Sequence, residues 1–132
     1  MRRIRTIAVF TVLACGWWAF QAANSQKAAP SCDRQCLEGF ANQYLDAMVA
    51  HDGSKAPIAR HVKFTENAKS LPIFGAREGL WITATARSNY RFFIADPQAE
   101  QVAFVGLIRE GEKPALLSLR LKVENRQITE AR

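Results

Sequence analysis

The hydrophobic pattern changes period once along the chain, and that change dictates the fold class. Up to about Ala50 the apolar residues Leu37, Phe40, Ala41, Tyr44 and Met48 recur at helical spacing. Beyond Pro57 the period becomes two: Val62, Phe64 and Glu66 share one face of an extended segment, and Lys63, Thr65 and Asn67 share the other. The spacing predicts one long helix with Ser31 as its N-cap, Asp33 in the first turn and Gly53 as its stop. A short turn at Ile58 to Arg60 precedes the first strand, and a loop with Pro72, Gly75 and Gly79 follows it. Strand character returns at Leu80 to Ala84, Asn89 to Ala95, Gln101 to Arg109 and Ala115 to Val123, and again from Gln127. A helix followed by about five strands is an α+β domain, its N-terminal helix packed on one face of an antiparallel sheet. Arg132 lies only five residues past the start of the last strand, so a short strand and a truncated C-terminus are both open.

With 132 residues there is room for one domain. The 48% hydrophobic, 10% aromatic and 23% charged composition excludes a disordered tail, a collagen-like fibre and a multi-span membrane protein. The net charge of +6 owes half its value to Arg2, Arg3 and Arg5. The remaining charges are scattered, without the clustered basic face of a nucleic-acid binder, so no nucleic-acid partner is expected.

Those three arginines open a leader. The uncharged stretch Ile7 to Phe20 is shorter than the roughly 20 residues that span a bilayer and fits the apolar segment of a secretory signal. The reading is a signal peptide over 1–23 cut after Ala23, a linker over 24–31 and one domain over 32–132. Gln21 is a poor residue two places before that cut, so an uncleaved anchor stays open as the chain's one route to a membrane. Val12-Leu13-Ala14-Cys15 is a loose lipoprotein box, but the apolar run continues past Cys15 through Trp17, Trp18 and Phe20. Export places the domain in an extracytoplasmic compartment, periplasmic or secreted, where Cys32 and Cys36 read as a disulfide. Helix geometry brings Cα atoms four residues apart to about 6 Å, within disulfide reach. Neither His51 nor His61 has ligand spacing to these cysteines, so no metal and no other cofactor is expected.

Several pieces together resemble the nuclear transport factor 2-like, or SnoaL-like, superfamily, in particular a secreted branch of unknown function. They are Cys32-Asp33, Tyr44-Leu45-Asp46-Ala47, His51-Asp52, Phe64-Thr65-Glu66-Asn67, Gly79-Leu80-Trp81, Ala95-Asp96-Pro97 and Leu119-Arg120-Leu121-Lys122-Val123. The resemblance implies a cone-shaped roll in which sheet and first helix enclose a mostly apolar pocket. Its members include isomerases, cyclases, dehydratases and ligand binders, so it does not select a reaction. It also implies dimers packed through their sheets, with Leu116 and Ser118 on the outer face. Some members use an Asp–His pair with the Asp on the first helix; here the wheel turns Asp46 outward.

Glu66 is the leading catalytic candidate, because a carboxylate on an apolar strand face is poised for general acid/base work; the plainer alternative is that, at the strand's end, it simply reaches solvent or pairs with Arg60 or Arg91. Tyr44, on the inward stripe, and Asn67 would assist it, Asn67 by binding a carbonyl or enolate oxygen or else serving only the turn. Trp81 and Tyr90 would line the pocket or pack in the core. His51 falls on the same stripe as Tyr44 and would contact substrate or cap the helix end. The expected activity is a cofactor-independent lyase or isomerase acting on a small apolar or aromatic molecule; the other expectation is a non-catalytic ligand-binding or dimerising domain.

Overall fold

The computed structural model describes residues 32–132; the leader, the linker and the Ser31 cap all fall outside that range. Helix α1 (Arg34–Val49) is capped by Asp33, not Ser31: the Asp33 carboxylate accepts from the Cys36 N–H at 2.8 Å. The helix also stops before Gly53. Ala50 is its C-cap, His51 takes the left-handed conformation (φ 53°), and Gly53 instead opens a single 3-10 turn (Gly53–Lys55). Cys32 and Cys36 form a disulfide with Cα atoms 5.3 Å apart, clamping the residue before the cap to the first turn. Such a bridge is one that an oxidising compartment sustains. Because the loop it closes is short, reduction is expected to cost only about 2 kcal/mol, read as a thermal midpoint lower by about 10 °C.

Six strands follow: β1 (Ile58–Glu66), β2 (Lys69–Ser70), β3 (Ala84–Asp96), β4 (Gln101–Glu110), β5 (Lys113–Glu124) and β6 (Gln127–Ala131). The residues expected to form a turn at Ile58 to Arg60 begin β1, and the expected loop holds β2. The segment Leu80–Thr83, expected as a strand, is a one-turn helix, α2. Gly79 (φ 82°) swings the chain so that its carbonyl accepts from the N–H groups of Ile82 and Thr83.

The sheet order is β2-β1-β6-β5-β4-β3. Every pairing is antiparallel except β1 with β6, which is parallel, so the sheet is mixed where an antiparallel one was expected. The helical stripe of α1 (Leu37, Phe40, Tyr44, Leu45, Met48) is buried against the inner sheet face, to which Val102, Phe104, Ile108, Leu119, Leu121 and Ile128 contribute. Asp46 faces outward as the wheel predicts, and its carboxylate accepts from Arg87 of β3 at 2.6 Å.

Candidate functional site

A cavity of about 370 Å³, open to solvent, lies between the C-terminal half of α1 and the sheet end where β1 and β6 stop and β4 turns into β5. Its walls include Tyr44, Met48, Phe64, Ile108, Leu117 and Leu119. Glu66 enters it from the end of β1 and is half-buried. It pairs with neither Arg60 nor Arg91. The Leu80 N–H donates to both carboxylate oxygens, at 3.2 Å to Oε1 and 3.0 Å to Oε2, and among the described residues no Lys or Arg forms an ion pair with it. Gly79 makes the seat possible, since a Cβ there would lie 2.6 Å from Glu66 Oε2. Glu110 reaches the same cavity and accepts from Thr83 Oγ1 at 2.6 Å, so both carboxylates are tied to α2 or its entry.

Tyr44 is buried at the back of the cavity. Its hydroxyl oxygen accepts from Trp81 Nε1–H at 3.0 Å, with the rings edge to face. An indole nitrogen can only donate, so the phenol's own proton must point elsewhere. Burial raises the Tyr44 pKa well above that of a free phenol; the Trp81 hydrogen bond partly offsets this and the negative charge of Glu66 adds to it. The phenol is therefore a standing hydrogen-bond donor beside a carboxylate.

The remaining expected site residues are dispersed. Asn67 reaches the cavity rim, where its φ of 50° starts the two-residue turn Asn67-Ala68 between β1 and β2; turn chemistry alone explains an Asn there. Trp81 does not line this cavity. It is buried behind Tyr44 and borders a separate shallow groove. Tyr90 is 66% exposed on β3 and absent from the cavity wall. His51 is exposed rather than on the buried stripe, because α1 ends two residues before it. Its Nδ1 donates to the Trp81 carbonyl at 2.9 Å, tying the helix end to α2. Among the described residues no group of three or more His, Cys, Asp or Glu side chains is placed to hold a metal ion, and no helix is long and apolar enough to cross a membrane.

The sequence reading missed Met48, Ile108, Glu110 and Arg132 as cavity residues. Two-residue alternation within Gln101 to Arg109 would have pointed Ile108 inward; Glu110, at a turn, carries no such signal. No protein-family model, curated protein or solved structure matches the chain.

Proposed function

We propose that this is an exported, cofactor-independent enzyme of lyase or isomerase type acting on a small apolar or aromatic molecule. One observation carries the reading: Glu66, without a cationic partner among the described residues, and the Tyr44 phenol line the same cavity. The carboxylate would take a proton from substrate carbon, and the phenol would donate a hydrogen bond to the oxygen on which charge develops. Asn67 at the rim could serve that oxygen too. The helix-on-sheet cavity agrees with the cone implied by the superfamily resemblance, and the disulfide agrees with export.

Thermal-shift screening against phenolics, small hydroxy acids and lipids, followed by mass spectrometry of the hits, tests the reading. In a converted hit, Glu66→Gln is expected to lower turnover by about 10²–10⁴-fold with an unchanged thermal midpoint. Unchanged turnover would remove Glu66 from the mechanism. Stabilisation without conversion would favour a ligand-binding domain.

A second reading, homodimerisation through the sheet, has its own support. Tyr90, Phe92, Ile94 and Leu116 are each more than half exposed on β3 and β5. Phe92 and Ile94 register with Val105 and Ala103 of β4, and Leu116 with Leu107, which groups them into one apolar outer patch. Sedimentation of the protein and of Leu116→Asp separates dimer from monomer.

A further inference from the structure

The two sulfurs of the Cys32–Cys36 bridge have different surroundings. Cys32 is 3% exposed, whereas Cys36 is half-buried and lines a shallow groove along the N-terminal half of α1, beside the turn from β5 to β6. Phe40 and Pro57 give the groove apolar walls, and among the described residues Arg126 is its one charged lining residue. Arg126 Nη1 lies 4.0 Å from Cys36 Sγ, and its guanidinium forms no ion pair among the described residues. Two carboxylates at this helix end are engaged elsewhere: Asp33 accepts from the Cys36 N–H at 2.8 Å, and Glu38 pairs with Arg34 at 3.3 Å. Two residues at the groove also work against local stability. Gly39 is a glycine inside a helix. It lies three residues after Cys36 and so on the same face, and a Cβ there would meet nothing within 4 Å, so the missing side chain leaves the approach to Cys36 open. Arg126 takes φ 59° at the second position of the Asn125-Arg126 turn, where glycine is favoured. Both departures fall beside one sulfur.

We infer that Cys32–Cys36 is a thiol–disulfide exchange site, with Cys36 as the reacting sulfur and a small carboxylate-bearing thiol as its co-reactant. Arg126 attracts the carboxylate, and the groove admits the thiol to Cys36 while Cys32 stays covered. A first thiolate attacks Cys36 Sγ; its sulfur bonds to Cys36 as the bridge breaks, and the bridge's electron pair leaves on Cys32. A second thiolate attacks the reagent sulfur of that mixed disulfide. It releases the reagent's own disulfide and leaves the electron pair on Cys36, as a thiolate that Arg126 stabilises as leaving group. Two thiols are thereby oxidised to one disulfide, and the protein bridge is reduced by two electrons. Of the two protons the thiols lose, Cys32 takes one and the solvent the other. The fold does little to protect the bridge: the loop is short, so the bridge stabilises the fold little and, by linkage, the fold stabilises the bridge little. This inference goes beyond the small-molecule reading and stands without it.

The test follows reduction by 3-mercaptopropionate and by cysteamine, using alkylation and mass spectrometry. The chain carries Cys15→Ser, so that Cys32 and Cys36 are its only cysteines. Corrected for thiolate fraction and basicity, the anionic reagent is expected to react about three-fold faster than the cationic one, the worth of one exposed ion pair. Arg126→Gln is expected to abolish that preference. Gly39→Leu is expected to slow both reagents several-fold by closing the approach to Cys36. Peptide mapping of the trapped adduct is expected to find the reagent on Cys36. If Gly39→Leu proves unstable, the adduct position and the charge preference still decide. Reduction only as fast as global unfolding, an adduct on Cys32, or a charge preference that is absent or survives Arg126→Gln overturns the inference. None of these outcomes involves Glu66, so such a failure leaves the proposed function standing; exchange at Cys36 combined with full turnover by Glu66→Gln does the reverse.

Discussion

Trp81→Ala is expected to remove about 4 kcal/mol of folding free energy, a large share of the 5–15 kcal/mol available to a domain of this size. Trp81 is 3% exposed, stands edge-on to Tyr44 with ring centroids 5.3 Å apart, and holds His51 through its carbonyl. Truncation loses that buried area and opens a cavity behind the candidate site. It also strips the buried Tyr44 hydroxyl of its donor. Trp81→Phe isolates this last effect, at about 1–2 kcal/mol, because most of the ring packing survives. Tyr44→Phe leaves the indole N–H without an acceptor and costs a similar amount. The double variant is expected to cost clearly less than the sum of the two singles, since no polar group is then stranded. Chemical denaturation of the four proteins measures the coupling, and strict additivity would deny that the hydrogen bond contributes. His51→Ala breaks one exposed contact and is expected to cost no more than about 1 kcal/mol.

That pair also shows where the sequence was legible. The Tyr44 side of it lies within a strong helical period, and the inward stripe of α1 and the outward Asp46 follow from that period alone. Alternation likewise located β1, β4 and β5, and the strand expected to end at Ala95 stops at Asp96, whose side chain accepts from the N–H groups of Gln98 and Ala99. The Trp81 side was not legible. Leu80-Trp81-Ile82-Thr83 has the aromatic and β-branched content of a strand, yet Gly79 and the Glu66 carboxylate start a helical turn there. That choice depends on two residues 13 positions apart meeting in space. The parallel β1–β6 pairing joins residues some 70 positions apart and leaves no local trace. His51 was misplaced by two residues of helix length, and helix ends are where patterns blur. The carboxylate at Glu66 was found because it interrupts an apolar face; Glu110 escaped because a glutamate before a turn is unremarkable.

Gly106→Ala is the other substitution with a large expected effect, about 3 kcal/mol destabilising. Gly106 lies mid-strand in β4, on the inner face with Phe104 and Ile108, and an added Cβ would sit 2.4 Å from Phe104 Cζ and 2.8 Å from the Tyr90 carbonyl oxygen. The cause is the irregularity in β3, where four steps from Arg87 to Arg91 span only two on β4, from Ile108 to Gly106. The surplus presses the Tyr90 carbonyl onto Gly106, a close backbone approach that a side chain forbids. Phe104 cannot easily yield, being 3% exposed and stacked at a tilt against Phe93, with centroids 5.4 Å apart. Thermal melts should show a midpoint lower by about 10–20 °C. Gly39→Ala is the control of opposite sign: within α1, and with nothing within 4 Å of the added methyl, it is expected to stabilise by about 0.5–1 kcal/mol. Adding Phe104→Leu to Gly106→Ala should recover the ring part of the clash but not the carbonyl part, so the double variant should cost less than the two single costs combined. A Gly106→Ala protein as stable as the parent would mean that β3 does not bear on β4 at this point.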